Sequence, residues 1–199
     1  MIRYYLLCSI LLISSCTGVP FSFYLQSIQE VFPRDITINK DYFDEAKFSF
    51  AKVAINGVDR GIIVLEEIIG DHHIWISEDG IRITTLNGRI IETKGFESDF
   101  KVTEAKKIEN KQAFTELLNF YNPDVYSVPF NYSLREKKSI TYMKLDQFID
   151  STKYTFNIQS KSLGINESYV VIATNNEPIY IKQNINPKIG EIELEFYYK

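Results

Sequence analysis

The sequence predicts a mainly β protein, a large curled antiparallel sheet (an open or half barrel) with one or two short helices. Its 199 residues are 45% hydrophobic and 14% aromatic, and the apolar runs are rich in Ile, Val and Thr, which favours strands. Apolar and polar residues alternate with a period of two between Asn-Gly and Asp-Gly pairs, which suit tight hairpin turns. Roughly ten or eleven strands are hard to keep in one flat sheet, so the sheet is expected to curl.

The first half of the chain predicts five successive strands. Residues 49–55 and 62–68 are apolar enough to form the first two, which are expected to be central in the sheet. The clearest stretch is 74–95, where Asp79-Gly80 and Asn87-Gly88 separate three short alternating runs. The links are short, so these strands form an antiparallel meander and not a parallel β-α-β unit.

The regions on either side of this meander are less uniform. Ahead of it, the sequence predicts a brief strand at 36–40 and an Asp-initiated helical turn at 41–45. After it, apolar residues at helical spacing among charged ones predict a helix at about 110–120, ended by Asn122-Pro123. Further strands are predicted at 125–133, 139–149, 154–161, 168–174, 178–184 and 189–198.

The N-terminus predicts an exported, lipid-anchored protein. Residues 1–15 have a charged tip and a short apolar run, typical of a signal peptide and too short to span a bilayer. Ile13-Ser14-Ser15-Cys16 fits a bacterial lipobox, in which Cys16 is acylated and becomes the new N-terminus; an ordinary secretory signal is the alternative. Residues 16–35 are then the anchor with a tether or short helix, and 36–199 are a single antiparallel β domain.

The net charge and the two cysteines limit the kinds of partner and covalent bond that the sequence predicts. The formal charge of −4 provides no basic excess to release phosphate counterions, so nucleic acid is not predicted as a partner. Cys8 leaves with the signal peptide and Cys16 carries lipid, so no disulfide is expected. The lipid makes a membrane the predicted attachment surface. Thr17 stands where an Asp would signal inner-membrane retention, so the sequence predicts the periplasmic side of the outer membrane.

Candidate metal and catalytic residues are few. His72 and His73 are the only histidines, and neighbours on a strand point to opposite faces, so solvated turn positions are predicted for them and no metal or cofactor. Glu78, Asp79 and Asp99 are the candidate acid and base of a glycosidase, which requires two carboxyl groups across a cleft. A turn role for Asp79 before Gly80 is the favoured interpretation. No catalytic residue is predicted.

Two side chains are candidates for contact with a glycan or a partner. Trp75 could stack on a sugar ring, although its position between two isoleucines favours burial with a satisfied indole N–H. Arg89 follows the Asn-Gly turn and could hold an acidic glycan, although a nearby carboxylate is favoured. Both interpretations remain open from the sequence.

Two blocks of residues resemble a known family. The first block joins a tryptophan strand to turns with Asp and Gly: Trp75-x-Ser77-x-Asp79-Gly80, Thr85-x-x-Gly88-Arg89-Ile90, Thr93-x-Gly95 and Asp99. The second is Tyr169-Val170-Val171 followed by Gln183-x-x-x-Pro187. Together they resemble the YjbF/GfcB family of bacterial lipoproteins, associated with group 4 capsule and exopolysaccharide export. The resemblance implies a mostly antiparallel β accessory protein that is not an enzyme.

The expected function follows from this resemblance and from the lipobox. It is that of a non-enzymatic, lipid-anchored envelope protein that assists capsule or exopolysaccharide export by binding either glycan or an export partner. The alternative is a carrier or chaperone of lipid-like molecules, because a curled sheet with a helical lid could hold one. A deep apolar cavity would favour the carrier, and a packed interior would argue against it.

Overall fold

The described chain forms a twelve-stranded antiparallel barrel that closes on itself. The computed structural model describes residues 36–107, 113–161 and 164–199, all within one compact unit, Asp35–Lys199. The strands are β1 Phe50–Ile55, β2 Val58–Ile69, β3 His72–Ile76, β4 Arg82–Leu86, β5 Arg89–Lys94, β6 Phe100–Val102, β7 Ala113–Phe120, β8 Val125–Lys144, β9 Gln147–Ser160, β10 Gly164–Ala173, β11 Pro178–Asn186 and β12 Gly190–Tyr197. Each strand pairs with the next in the chain, and β1 pairs with β12 to close the barrel.

The predicted curled antiparallel sheet is therefore confirmed, and it closes fully. The first five strands form the expected meander, with left-handed backbone at Asn56-Gly57 and Asn87-Gly88 as the hairpin turns require. Full closure leaves each strand a neighbour on both sides over part of its length, which covers edges that an open sheet would expose. The predicted signal peptide, the anchor and the tether fall on residues outside the described ranges.

The core fills the inside of the barrel. Alternate residues of each strand point inward, so the inner face of β12 presents Ile192, Leu194 and Phe196, all buried. Across the barrel the amide of Gln183 bonds both the N–H and the C=O of Ile90, each at 3.0 Å. These two bonds satisfy the buried N–H and C=O of Ile90, and they connect β11 to β5, which are not neighbours in the sheet.

The predicted helix at about 110–120 is wrong over its described part. Ala113–Phe120 is strand β7, in which Glu116 and Leu118 are buried while Leu117 is exposed. The strand's period of two was not visible in the sequence, because the charged Glu116 faces inward and the apolar Leu117 faces outward. The apolar residues therefore matched helical spacing, and only the partner of Glu116 explains why its charge is inside.

The other differences concern boundaries. The chain at 36–39 has no strand, and helix α1, Lys40–Glu45, is capped by Asn39, whose Oδ1 accepts from the Tyr42 N–H at 2.8 Å. The predicted strand 139–149 is interrupted by a tight turn at Leu145-Asp146, both with positive φ. Leucine rarely adopts that conformation, and Asp146 has no Gly or Asn next to it, so the sequence contains no strong turn signal there.

Candidate functional site

Trp75 is buried beneath the rim of the barrel. It lies on β3 with 0% of its surface exposed, and its indole N–H donates to Thr85 Oγ1 at 3.0 Å. Its ring centre is 5.2 Å from that of Phe196 and 5.8 Å from that of Tyr198. The predicted burial with a satisfied N–H is confirmed. A contact between Trp75 and glycan stays a prediction that would require a ligand to enter the interior.

Arg89 forms a buried ion pair. Its Nη1 and Nη2 donate to the two carboxylate oxygens of Glu116 at 3.0 and 2.7 Å, and Nη2 also donates to the Lys106 carbonyl at 2.8 Å. The guanidinium carbon is 5.3 Å from the ring centre of Phe114 and 5.1 Å from that of Tyr132. With 4% of its surface exposed, Arg89 is held by a bidentate carboxylate and two rings. Its predicted contact with glycan likewise stays a prediction.

The histidines are on a strand and not in a turn. Both belong to β3, and the Nδ1 of His73 lies 2.9 Å from the Tyr198 hydroxyl. Burial lowers the pKa of His73. Of the two, only His72 is exposed, so the predicted solvated turn positions are corrected. Within the described ranges, no three His, Cys, Asp or Glu side chains are grouped so that they could hold a metal ion.

Of the three candidate acid and base residues, Asp79 and Asp99 bond to nearby turn residues, and Glu78 is exposed. Asp79 accepts a hydrogen bond from the Ser77 hydroxyl in the link between β3 and β4. Asp99 accepts from the backbone N–H groups of Gly95 and Phe96 at 3.0 and 3.2 Å. Asp79 therefore lies in a turn as predicted, and Asp99 has a similar local role that the sequence did not assign to it.

A pocket of about 380 Å³ opens at one end of the barrel, and we call it the rim pocket. Alternate turns of a meander lie at the same end, so the β8–β9 turn, the β10–β11 turn and the end of β12 meet there. Its walls include Phe43 of α1, Gln147 of β9, Asn175 of the β10–β11 turn, and Tyr197 and Tyr198 at the end of the chain. Aromatic rings and neutral hydrogen-bonding groups therefore face the same space.

Lys144 supplies a cation to the rim pocket. Its Nζ lies 3.9 Å from the ring centre of Tyr197, a distance that fits a cation–π contact. Burial lowers the pKa of Lys144 to about 8, although the charges of Glu195 and Glu177 act in the opposite direction. A partly buried lysine with a perturbed pKa in a pocket is a recognised sign of a functional site.

The sequence could not reveal the rim pocket. Its lining residues come from four segments, near positions 43, 145, 175 and 197, which only the closure of the barrel brings together. The one related signal in the sequence was its high tyrosine content. It did not indicate which tyrosines would meet, because they are scattered along the chain. The predicted residue Trp75 is nevertheless close by, because it packs behind Phe196 and Tyr198, which line the rim pocket.

A second groove lies on the outside of the barrel across β7 to β10, and we call it the outer groove. It has a volume of about 370 Å³, and outward side chains of Thr115, Asn131, Asn157 and Gln159 form part of its lining. All of its lining side chains are uncharged. Two of them are aromatic, Phe114 and Tyr132, and their rings stack on each other beside the Arg89 guanidinium. The outer groove therefore offers hydrogen-bonding side chains, while its two aromatic rings are stacked on each other and Tyr132 is buried.

None of the helices in the described part of the chain has the length and hydropathy needed to cross a membrane.

Comparison with solved structures shows the same fold in a bacterial lipoprotein. The hypothetical lipoprotein YmcC from Escherichia coli (K12) matches with a TM-score of 0.66 at 14% identity, over 93% of this chain and 98% of that one. A lipoprotein from Parabacteroides distasonis ATCC 8503 matches with a TM-score of only 0.34 at 8% identity, over 77% of this chain and 95% of that one. A search of curated protein sequences finds no match.

The family comparison covers most of the chain. Residues 25–196 match the family described as "Group 4 capsule polysaccharide lipoprotein gfcB, YjbF", which includes all twelve strands except the last residue of β12. The match confirms the resemblance read from the tryptophan strand and its turns. Membership of a lipoprotein family implies a lipid-anchored location in the cell envelope. The chain belongs to the YjbF (GfcB) family of group 4 capsule polysaccharide lipoproteins.

Proposed function

We propose that this protein is a non-enzymatic accessory of capsule or exopolysaccharide export, anchored through Cys16 at the periplasmic side of the outer membrane. The family description supports the link to capsule polysaccharide and names no reaction. The lipobox at Cys16 and Thr17 after it support the anchor and the membrane chosen. The protein would act by holding glycan close to the membrane where it is exported.

The observation that carries this function is the chemistry of the rim pocket. Sugar rings present apolar faces that pack on aromatic side chains, and hydroxyl groups that pair with amides. The rim pocket has Phe43 and Tyr198 for the first and the Gln147 amide for the second, with the Thr174 hydroxyl as a further hydrogen-bonding group. Its volume of about 380 Å³ is within the range of small-molecule sites. We therefore place the glycan there in preference to the outer groove.

Trp75 supports this site from behind its walls, and the turn that leads into Arg89 packs against it. Trp75 supports Phe196 and Tyr198 by direct ring contacts. Next to Arg89, Gly88 lies so close to Pro178 of the rim pocket that a Cβ atom on it would be 2.7 Å from the Pro178 Cβ. Changing Trp75 would therefore alter the pocket through packing, without a need for direct contact with glycan. The side-chain contacts of Arg89 lie outside the rim pocket.

Binding of an export partner is the second candidate, favoured by the tip of the β8–β9 hairpin. Met143 and Phe148 are directly opposite each other in the ladder and are 67% and 78% exposed. The hairpin extends beyond β10, whose pairing with β9 ends at Ala173 and Ser151. Exposed apolar residues grouped at a projecting tip are typical of protein contact sites.

The lipid-carrier alternative is disfavoured by the interior. The barrel is filled by large buried side chains that include Trp75, Phe100, Phe130 and Phe196. The space beside Arg89 and Tyr132 amounts to about 10 Å³, close to that of one water molecule. A lipid chain would require the core to open, so the described interior does not support this function.

The cellular test measures surface polysaccharide. A deletion strain is complemented with the wild-type gene or with Cys16→Ser. Loss on deletion that only the wild type restores is the expected result. Unchanged polysaccharide in the deletion strain would contradict the proposed role, and full rescue by Cys16→Ser would contradict the need for an anchor.

The binding test compares the two grooves by isothermal titration with capsule polysaccharide purified from the same organism. Gln147→Ala with Thr174→Ala removes hydrogen-bonding groups from the rim pocket, and Asn157→Ala with Gln159→Ala is the matched pair in the outer groove. We expect the rim-pocket pair to weaken binding at least fivefold and the outer-groove pair to leave it within twofold. The reverse pattern would move the site to the outer groove.

A further inference from the structure

The ammonium group of Lys144 is available to a ligand. Within the described chain its Nζ contacts the Tyr197 ring at 3.9 Å, and no carboxylate lies within 4 Å of that Nζ among the described residues. The ring covers one side of the cation and provides no oxygen or nitrogen to accept hydrogen bonds from its three N–H groups. Lys144 therefore enters the rim pocket partly desolvated and with hydrogen bonds left to make.

The nearest carboxylates have other partners. Glu177, which also lines the rim pocket, accepts from the Asn175 side-chain N–H at 2.8 Å, and its own backbone N–H donates back to Asn175 at 3.1 Å. Glu195 accepts from the Tyr142 hydroxyl at 3.4 Å. Both acids influence Lys144 through their charges without pairing with it. A ligand carboxylate can therefore approach Lys144 without displacing a salt bridge, against the repulsion of Glu177 and Glu195.

We propose that the rim pocket binds an acidic sugar residue whose carboxylate accepts hydrogen bonds from Lys144 while its ring packs against Phe43 and Tyr198. This inference rests on the proposed glycan-binding function and adds the class of sugar. A carboxylate compensates a partly buried ammonium better than a neutral hydroxyl, because hydrogen bonds between two charged groups are roughly twice as strong as neutral ones. The class of ligand is thus a uronic acid or another carboxylated sugar.

The chain contains a matched control for Lys144. Lys153 also places its Nζ over a tyrosine ring, 3.8 Å from the centre of Tyr169, but it lies outside the rim pocket. Replacing it removes the same charge and the same type of ring contact. A loss of binding specific to Lys144 therefore reports on the pocket and not on net charge.

The experiment titrates oligogalacturonate, and the same oligomer with its carboxyl groups reduced to alcohols, into the lipid-anchored protein in detergent. We expect the wild type to bind the acidic oligomer at least tenfold more tightly than the reduced one. Lys144→Gln should remove this preference, Lys144→Arg should keep it within about threefold, and Lys153→Gln should leave it unchanged. Circular dichroism confirms that each variant is folded.

The outcomes separate the two proposals. Equal binding of both oligomers, with no effect of Lys144→Gln, would overturn the acidic-sugar inference and leave glycan binding intact. Binding of neither oligomer by the wild type would overturn the inference, and if purified capsule polysaccharide also fails to bind, the glycan-binding function falls with it. Loss of acidic selectivity in Lys153→Gln would show a general charge effect and would also overturn the inference.

Discussion

Arg89 and Lys144 are two cations packed against aromatic rings, and their different partners indicate different roles. Arg89 lies in the barrel interior with both oxygens of Glu116 within 3.0 Å. Lys144 lies at the rim with a ring at 3.9 Å and with no carboxylate within 4 Å among the described residues. The charge of the first cation is compensated by a carboxylate of the protein itself, whereas the second has no carboxylate partner among the described residues and has hydrogen bonds left for a ligand.

This difference separates a cation that stabilises the fold from one that is available for binding. Taking a charge out of water costs several kcal/mol unless a partner compensates it. Glu116 compensates Arg89 within the fold, so the pair holds β5 and β7 in position. At Lys144 the cost remains, which fits a group kept for binding at some expense of stability.

Breaking the buried pair should have the largest effect. Glu116→Gln leaves the Arg89 charge buried without its carboxylate, so we expect the free energy of unfolding to fall by about 3–5 kcal/mol in urea denaturation. Glu167→Gln is the matched control, because Glu167 forms an ion pair with Arg135 at the exposed surface. That change should cost under about 1 kcal/mol. Similar losses for both would mean that burial does not distinguish the two pairs.

The turn that leads into Arg89 should be the next most sensitive. Gly88 has a φ of +80°, and an added Cβ would lie 2.7 Å from Pro178 Cβ and 3.0 Å from Val170 Cγ2. Gly88→Ala should destabilise the fold by about 2–3 kcal/mol through backbone strain and overpacking.

The control for this change is Gly57→Ala. Gly57 has a similar φ of +75°, and an added Cβ would have nothing within 4 Å, so only backbone strain applies. It should cost about 1 kcal/mol. Thermal melts that show equal losses for the two alanine variants would contradict a close packing of the Gly88 turn against Pro178.

Removing the unpaired cation should have the smallest effect on stability, and with the opposite sign. The pKa of Lys144 falls from 10.5 to about 8 on folding because burial disfavours its charge. The unfolded chain therefore binds the proton more tightly, and the wild type gains stability as pH rises from about 8 to 10.5. Lys144→Met should raise the free energy of unfolding at pH 7 by about 1–2 kcal/mol.

The pH dependence provides the check on this prediction. The advantage of Lys144→Met should shrink between pH 8 and 10.5, where the wild-type lysine becomes neutral. Lys153→Met is the control and should change stability by under about 0.5 kcal/mol. If Lys144→Met is less stable than the wild type at pH 7, the ring contact with Tyr197 outweighs the cost of burial.

Much of the fold could be predicted from local patterns. The Asn-Gly turns, the alternation in β1 to β5 and the burial of Trp75 depend on neighbours in sequence, so they could be read directly. β7 could not, because the inward charge of Glu116 makes sense only beside Arg89, 27 residues away. The Leu145-Asp146 turn was missed for a similar reason, since its positive φ values are held by the pairing of β8 with β9.

By itself, the sequence determined an antiparallel β class, an exported and lipid-anchored character as an expectation, and the family to which the chain belongs. These features reside in short stretches whose physics is local: turn conformation, alternation and an apolar leader. Only the tertiary structure decided that the sheet closes, that Arg89 faces inward and that Lys144 shares a pocket with Tyr197 and Tyr198. The reason is that closure joins β1 to β12 and brings distant segments to one rim, and no local pattern encodes that contact.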